Sequence, residues 1–172
     1  MKYIFFLLLA FNLSAQEHQK SEYLYDEDGR MFAKEFLIGE GMMSPEERLE
    51  IATELNKISR TVIDTSSTII INFFYKGKTE PNGSCIDHYT NDSKYLRALE
   101  RKKSIVQFFV TQQNYKYTKE NSFEDANDLI RSKLFRYKFS CGNYVIIKPN
   151  GKFFRKLGEY QPDEIIENLK RI

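Results

Sequence analysis

Cys85-Ile86-Asp87-His88 sets a thiol, a carboxylate and an imidazole within four residues, and Cys141 is the only other cysteine of the chain. A thiol beside an imidazole can serve as a nucleophile, because the base takes its proton or the imidazolium steadies the thiolate. A solvent-facing loop histidine is the plainer role for His88. The same donors could ligate a metal, but zinc sites usually take three or four protein ligands. His18 and Cys141 are the only further soft candidates, so no metal is expected. No G-x-S-x-G, P-loop or G-x-G-x-x-G stretch occurs, and without such a motif no cofactor is expected.

These residues sit in a chain of 172 residues with 26 basic and 24 acidic side chains, 14 Phe, 11 Tyr and no Trp. A formal net charge of +2 gives no general electrostatic case for a nucleic-acid partner. Length and a 41% hydrophobic share suit one globular domain with modest additions. Tyr115-Lys116-Tyr117 interleaves aromatic and basic side chains. That pattern can stack bases, but in a near-neutral exported chain it reads better as surface decoration or a protein contact.

Export is expected from the N-terminus. Lys2, the apolar run Ile4 to Phe11 and the closing Asn12-Leu13-Ser14-Ala15 have the form of a signal peptide, residues 1–15, cleaved before Gln16. The run is too short for a membrane span, which needs about 20 apolar residues. No later stretch reaches that length, and no cysteine follows the run to anchor a lipoprotein. The expected destination is periplasmic or secreted. In an oxidising compartment a lone pair of thiols tends to end as a disulfide.

Residues 16–43 read as an N-terminal hairpin and linker. Tyr23-Leu24-Tyr25 and Met31-Phe32-Ala33 flank Asp26-Glu27-Asp28-Gly29, and Asp-Gly between such runs is a hairpin signal. Ser44-Pro45-Glu46-Glu47 predicts a capping box opening a helix, with Leu49, Ala52, Leu55 and Ile58 as its apolar stripe. Thr68 to Tyr75 predicts a strand buried on both faces. Lys76 to Thr90 reads as a loop holding Cys85, followed by a helix over 92–102. Ser104 to Thr111 predicts a second strand, and Phe123, Ala126, Leu129, Ile130 and Leu134 predict a helix from Ser122. Tyr144 to Ile147 and Lys152 to Leu157 are strands joined by the Pro149-Asn150-Gly151 turn, and Pro162 opens a last helix with Ile165, Ile166, Leu169 and Ile172 inward. Crossover helices imply parallel pairing, and the short turn forces the final pair antiparallel. The expected fold is α/β, a mixed sheet of four to five strands flanked by helices, with 44–172 as its domain.

That element order resembles the thioredoxin-like fold family over roughly residues 44–172. So does the stretch Tyr144-Val145-Ile146-Ile147-Lys148-Pro149-Asn150-Gly151-Lys152-Phe153-Phe154-Arg155-Lys156-Leu157-Gly158 followed by a short helix. The chain also resembles small exported bacterial members, in which an acidic-Gly hairpin can precede the domain. The resemblance implies a C-x-x-C after the first central strand and a cis-proline just before the third. This chain has only Cys85 at the first place, and Gly142 beside Cys141 at the second. A C-x-x-C works because its first thiolate is stabilised at a helix start and its second thiol resolves the mixed disulfide. One cysteine in the loop lacks that local partner.

The resemblance also brings the two loops together, which implies a Cys85–Cys141 disulfide across a vestigial active site. The main expectation is therefore an exported binding or structural module without dithiol catalysis, with an unknown protein partner. The alternative is an atypical thiol-disulfide oxidoreductase with Cys85 as nucleophile and Cys141 as resolving partner. A third reading is a secreted interaction protein using its aromatic loops.

Overall fold

The structure is a computed structural model that describes residues 23–76, 85–117, 121–139 and 141–172. The expected leader, its cleavage point and the Pro81-Asn82-Gly83 turn lie outside the described residues.

The described residues open with the expected hairpin, β1 (Tyr23–Tyr25) against β2 (Met31–Ala33). Asp26 organises its turn, since one carboxylate oxygen accepts from the amides of Asp28 at 3.0 Å and Arg30 at 2.8 Å. A 3-10 turn over Lys34–Leu37 leads into β3 (Ile38–Met42). Ser44 then caps α1 (Pro45–Ser59): its hydroxyl accepts from the Glu47 amide, and the Glu47 carboxylate accepts from the Ser44 amide. There follow β4 (Thr68–Phe74), α2 (Cys85–Thr90), α3 (Ser93–Glu100), β5 (Ile105–Thr111) and β6 (Ser122–Glu124). The chain ends with α4 (Leu129–Leu134), β7 (Asn143–Ile147), β8 (Lys152–Lys156) and α5 (Pro162–Arg171).

Six strands form one mixed sheet in the order β3-β8-β7-β4-β5-β6. β4 runs parallel to β5 and antiparallel to β7, and β7 and β8 form an antiparallel hairpin. The four strands read from the sequence are the middle of this sheet. β3 extends it beside β8, and β6 extends it by three residues beside β5. Every residue of β4 is buried, which is why its sequence is a continuous apolar run rather than an alternation. Successive side chains of a strand point to opposite faces. Ile69, Ile71 and Phe73 therefore meet Ile51, Leu55, Ile130 and Leu134 of α1 and α4. Ile70 and Phe74 share the other layer with Ile86, Tyr89, Tyr95, Leu99, Ile165 and Leu169 of α2, α3 and α5.

Three local expectations are corrected. α1 buries Arg48, Ile51, Ala52 and Leu55, whereas Leu49 is 63% exposed. Arg48 takes the inward place because its guanidinium donates to the carbonyls of Ser67 at 2.8 Å and Lys148 at 3.1 Å. The helix expected from Ser122 starts only at Leu129. Before it, β6 pairs with β5 and the buried Asp125 turns the chain, accepting from the amides of Ile130 and Arg131. Finally, Cys85 lies not in a loop but on a helix.

Candidate functional site

α2 is only six residues long, too short to hold itself together in water. Tertiary contacts fix it. Ile86 and Tyr89, three residues apart, are buried in the second layer, while His88 faces solvent. Tyr117 donates its hydroxyl to Asp87 at 2.6 Å, and the next helix is capped by Asp92, which accepts from the amides of Lys94 and Tyr95. Cys85 lies on this pinned helix and is partly exposed.

Cys141 belongs to the segment between α4 and β7. Cys141 and Gly142 both take positive φ, +58° and +104°, and so reverse the chain into β7. A methyl at Gly142 would stand 3.0 Å from the Tyr160 ring, 3.3 Å from Tyr89 and 3.4 Å from Phe74, so both the turn and the packing require glycine. Asn143, fully buried, locks the loop. Its amide nitrogen donates to the carbonyls of Phe139 and Phe73, and its oxygen accepts from the Gly158 amide at 3.0 Å. The N-terminal hairpin braces the outer side. The Glu27 amide donates to the Lys138 carbonyl at 2.8 Å, Lys138 pairs with the Glu27 carboxylate, and the Phe32 ring lies 4.7 Å from that of Tyr137.

These two segments meet. Cys85 and Cys141, 56 residues apart in sequence, are joined by a disulfide with their Cα atoms 5.1 Å apart. Beneath the bond lies a bed of tyrosines. The Tyr89 hydroxyl is shared between the carbonyls of Tyr160 at 2.8 Å and Cys141 at 3.1 Å, and the two rings stack at 4.3 Å. Tyr160 in turn donates to Asn72 of β4 at 2.6 Å. Burial pushes the Tyr89 hydroxyl up to about 12 and raises those of Tyr95, Tyr144 and Tyr160 as well. All of them therefore remain protonated at neutral pH.

A parallel β4–β5 pair, an antiparallel β7–β8 hairpin on the other side of β4, a closing helix on the sheet and a disulfide at the end of β4 settle the architecture. The fold is thioredoxin-like. No family profile matches the chain, and no curated protein matches it. Solved structures similar to it include the exposed lipoprotein thioredoxin of Streptococcus pneumoniae, 10% identical, with TM-score 0.40, covering 88% of this chain and 99% of that one. Another is DsbF of MTB in mixed oxidised and reduced forms, 10% identical, with TM-score 0.41, covering 88% and 94%. A third is BsSco, a Sco-family cytochrome c oxidase assembly protein with a disulfide switch, 10% identical, with TM-score 0.36, covering 88% and 91%.

Within the thioredoxin-like frame, the expectation of a module without dithiol chemistry is corrected. Cys85 and Cys141 form the disulfide that the resemblance implied, and it supplies the cysteine pair such chemistry uses. It is assembled from two distant segments instead of one C-x-x-C, so a search for a local motif passes over it. Gly142 stands next to β7, where the resemblance called for a cis-proline, and no cis peptide bond occurs among the described residues.

The remaining candidates fall into place around this pair. His88 sits on the same helix as Cys85, its ring 5.2 Å from that of Tyr89, and His18 lies outside the described residues. Tyr115 is buried and Tyr117 is bonded to Asp87, so they do not form an exposed stacking platform. Among the described residues no group of three His, Cys, Asp or Glu could hold a metal. A cavity of about 660 Å³ runs along β5 and β6, lined by Leu96, Leu99, Ile105, Phe109 and Phe123 among others, and neither cysteine borders it. Sequence reasoning missed Tyr89, Tyr160 and Asn143. Asn72, a polar side chain inside the apolar run of β4, is the feature that could have pointed to them.

Proposed function

We propose that this chain is an exported thiol-disulfide oxidoreductase in which Cys85 is the nucleophile and Cys141 its resolving partner. The observation that carries this reading is the disulfide between two partly exposed cysteines, one of them on the helix α2.

The exchange balances as follows. One thiolate of a substrate dithiol attacks the Cys85 sulfur, forming a mixed disulfide and expelling Cys141 as a thiolate. The second substrate thiolate then attacks the substrate sulfur of that mixed disulfide and expels Cys85. The substrate gives up two electrons and two protons and becomes a disulfide, and the protein ends as the dithiol. Run backwards, the Cys85 thiolate opens a substrate disulfide and Cys141 resolves the intermediate.

Export is part of the same proposal. Lys2, the apolar run to Phe11 and Ala15 support cleavage before Gln16, and an oxidising compartment keeps such a pair in use. No helix of the described residues is long and apolar enough to cross a membrane. Residues 44–172 would carry the exchange, with the extension 16–43 bracing the Cys141 loop.

The test is turnover of insulin or glutathione disulfide by the mature chain, together with its reduction potential. Activity that vanishes in Cys85→Ser, with a potential above about −300 mV, is the expected result. No turnover and a potential below that value would mark the bond as purely structural and refute the proposal. N-terminal sequencing of the mature protein should begin at Gln16, and an intact Met1 would remove the export half.

A further inference from the structure

Cys85 and Tyr89 are one helical turn apart on α2, and both reach the same residue across the site. The sulfur of Cys85 is bonded to that of Cys141, and the hydroxyl of Tyr89 lies 3.1 Å from the Cys141 carbonyl. The same hydroxyl accepts from the Tyr160 amide at 3.5 Å while donating to the Tyr160 carbonyl at 2.8 Å. α2 is thus tied to Cys141 twice, by a covalent bond that exchange must break and by a hydrogen bond that exchange leaves alone.

We propose that Tyr89 is a positioning residue for this exchange, holding Cys141 within reach of Cys85 after reduction and thereby setting the potential of the pair. The inference rests on the oxidoreductase reading above. The equilibrium constant for closing a disulfide measures how concentrated one thiol is beside the other. In a C-x-x-C the short connecting chain supplies that concentration. Here the two cysteines lie 56 positions apart, so non-covalent contacts must supply it, and the Tyr89 hydroxyl spans the gap directly. Its ring also packs against the place where a Gly142 side chain would stand. Burial leaves Tyr89 2% exposed and raises its pKa to about 12, so the donor is present across the working range of thiol exchange.

The two ties are linked, and linkage is reciprocal. The hydrogen bond is worth more in the oxidised protein, where the disulfide already holds its partners in place. Tyr89→Phe should therefore destabilise the oxidised protein more than the reduced one. It should also lower the equilibrium constant for disulfide formation about tenfold, a shift of about 30 mV toward less negative potential.

The experiment equilibrates the mature wild-type and Tyr89→Phe chains in glutathione buffers, reads the alkylated fractions by mass spectrometry, and records the unfolding midpoint of each redox form. A shifted potential with unequal losses of stability supports the tether. An unshifted potential with equal losses in both forms makes Tyr89 a packing residue and overturns it. Should the variant not fold, exchange of the Tyr89 hydroxyl proton in wild-type protein decides. Faster exchange after reduction supports the tether, and equal exchange overturns it. A wild-type chain that turns over normally beside an unshifted Tyr89→Phe removes the tether alone, whereas a wild-type chain without turnover removes the oxidoreductase reading.

Discussion

Tyr160 donates its hydroxyl to the side-chain oxygen of Asn72 across 2.6 Å, joining the segment after β8 to the middle of the central strand. Asn72 is fully buried, and its amide reaches the Phe108 carbonyl at 3.4 Å. Buried polar groups persist where they satisfy one another. Asn72→Leu should strand the Tyr160 hydroxyl and cost about 1–3 kcal/mol, measured by urea unfolding. Adding Tyr160→Phe should return part of that loss. Strictly additive losses in the double variant would show that the bond contributes nothing.

Gly142→Ala should be among the most damaging small changes in the chain. Its φ of +104° is unfavourable for any residue with a side chain, and the new methyl would press on the rings of Tyr160, Tyr89 and Phe74. Backbone strain and overpacking each cost about 1–3 kcal/mol. Thermal unfolding should show the loss, and reoxidation by glutathione disulfide should slow. A variant with unaltered midpoint and rate would contradict this account of the loop.

Stability should fall sharply in alkali. Burial is the main cause that raises the hydroxyl of Tyr89 to about 12 and also those of Tyr75, Tyr95, Tyr144 and Tyr160. In the unfolded chain a tyrosine ionises near pH 10, so above that pH the native state holds protons the unfolded state has released. The stabilisation is complete below about pH 10 and is lost as pH rises through the native values. Tyrosinate absorbance from these side chains should appear together with loss of far-ultraviolet dichroism. Full ionisation near pH 10 in a chain still folded would be the wrong result for this prediction.

Reducing the disulfide should also destabilise the fold. For two residues 56 apart, the chain-entropy model gives about 4 kcal/mol. Urea unfolding with and without reductant measures it, and the double variant Cys85→Ser with Cys141→Ser should behave like the reduced wild type in either buffer. A difference under about 1 kcal/mol would mean that the reduced chain keeps the loop closed by other contacts.

What could be read in advance was whatever local chemistry specifies. The Ser44 capping box, the apolar run of β4, the Asn150-Gly151 turn and the inward Ile165 and Leu169 all declare themselves within a few residues. α2 did not, because a six-residue helix with two buried side chains has no periodicity to detect. β6 resembled a helix since Phe123, Ala126 and Ile130 fall near helical spacing, and only its pairing with β5 makes it a strand. β3 was hidden by its glycines, which ordinarily weaken strands. Gly39 and Gly41 leave room there for Arg155 and Phe153, whose side chains would lie 3.2 Å and 3.1 Å from an added methyl. At the site, the cysteine pairing followed from family resemblance, whereas the tyrosines beneath it depend on contacts between residues some 70 positions apart.

The long separation of the two cysteines has a mechanical consequence. A neighbouring pair would close a ring too small to matter, but the 85–141 bond makes a covalent lasso around α3, β5, β6 and α4. Drawn from both ends, or fed through a narrow pore, the oxidised chain withholds the stretch between two positions 56 apart, on the order of 190 Å of contour length. Reduction releases that slack, so the extensibility of a single molecule reports the state of its thiols.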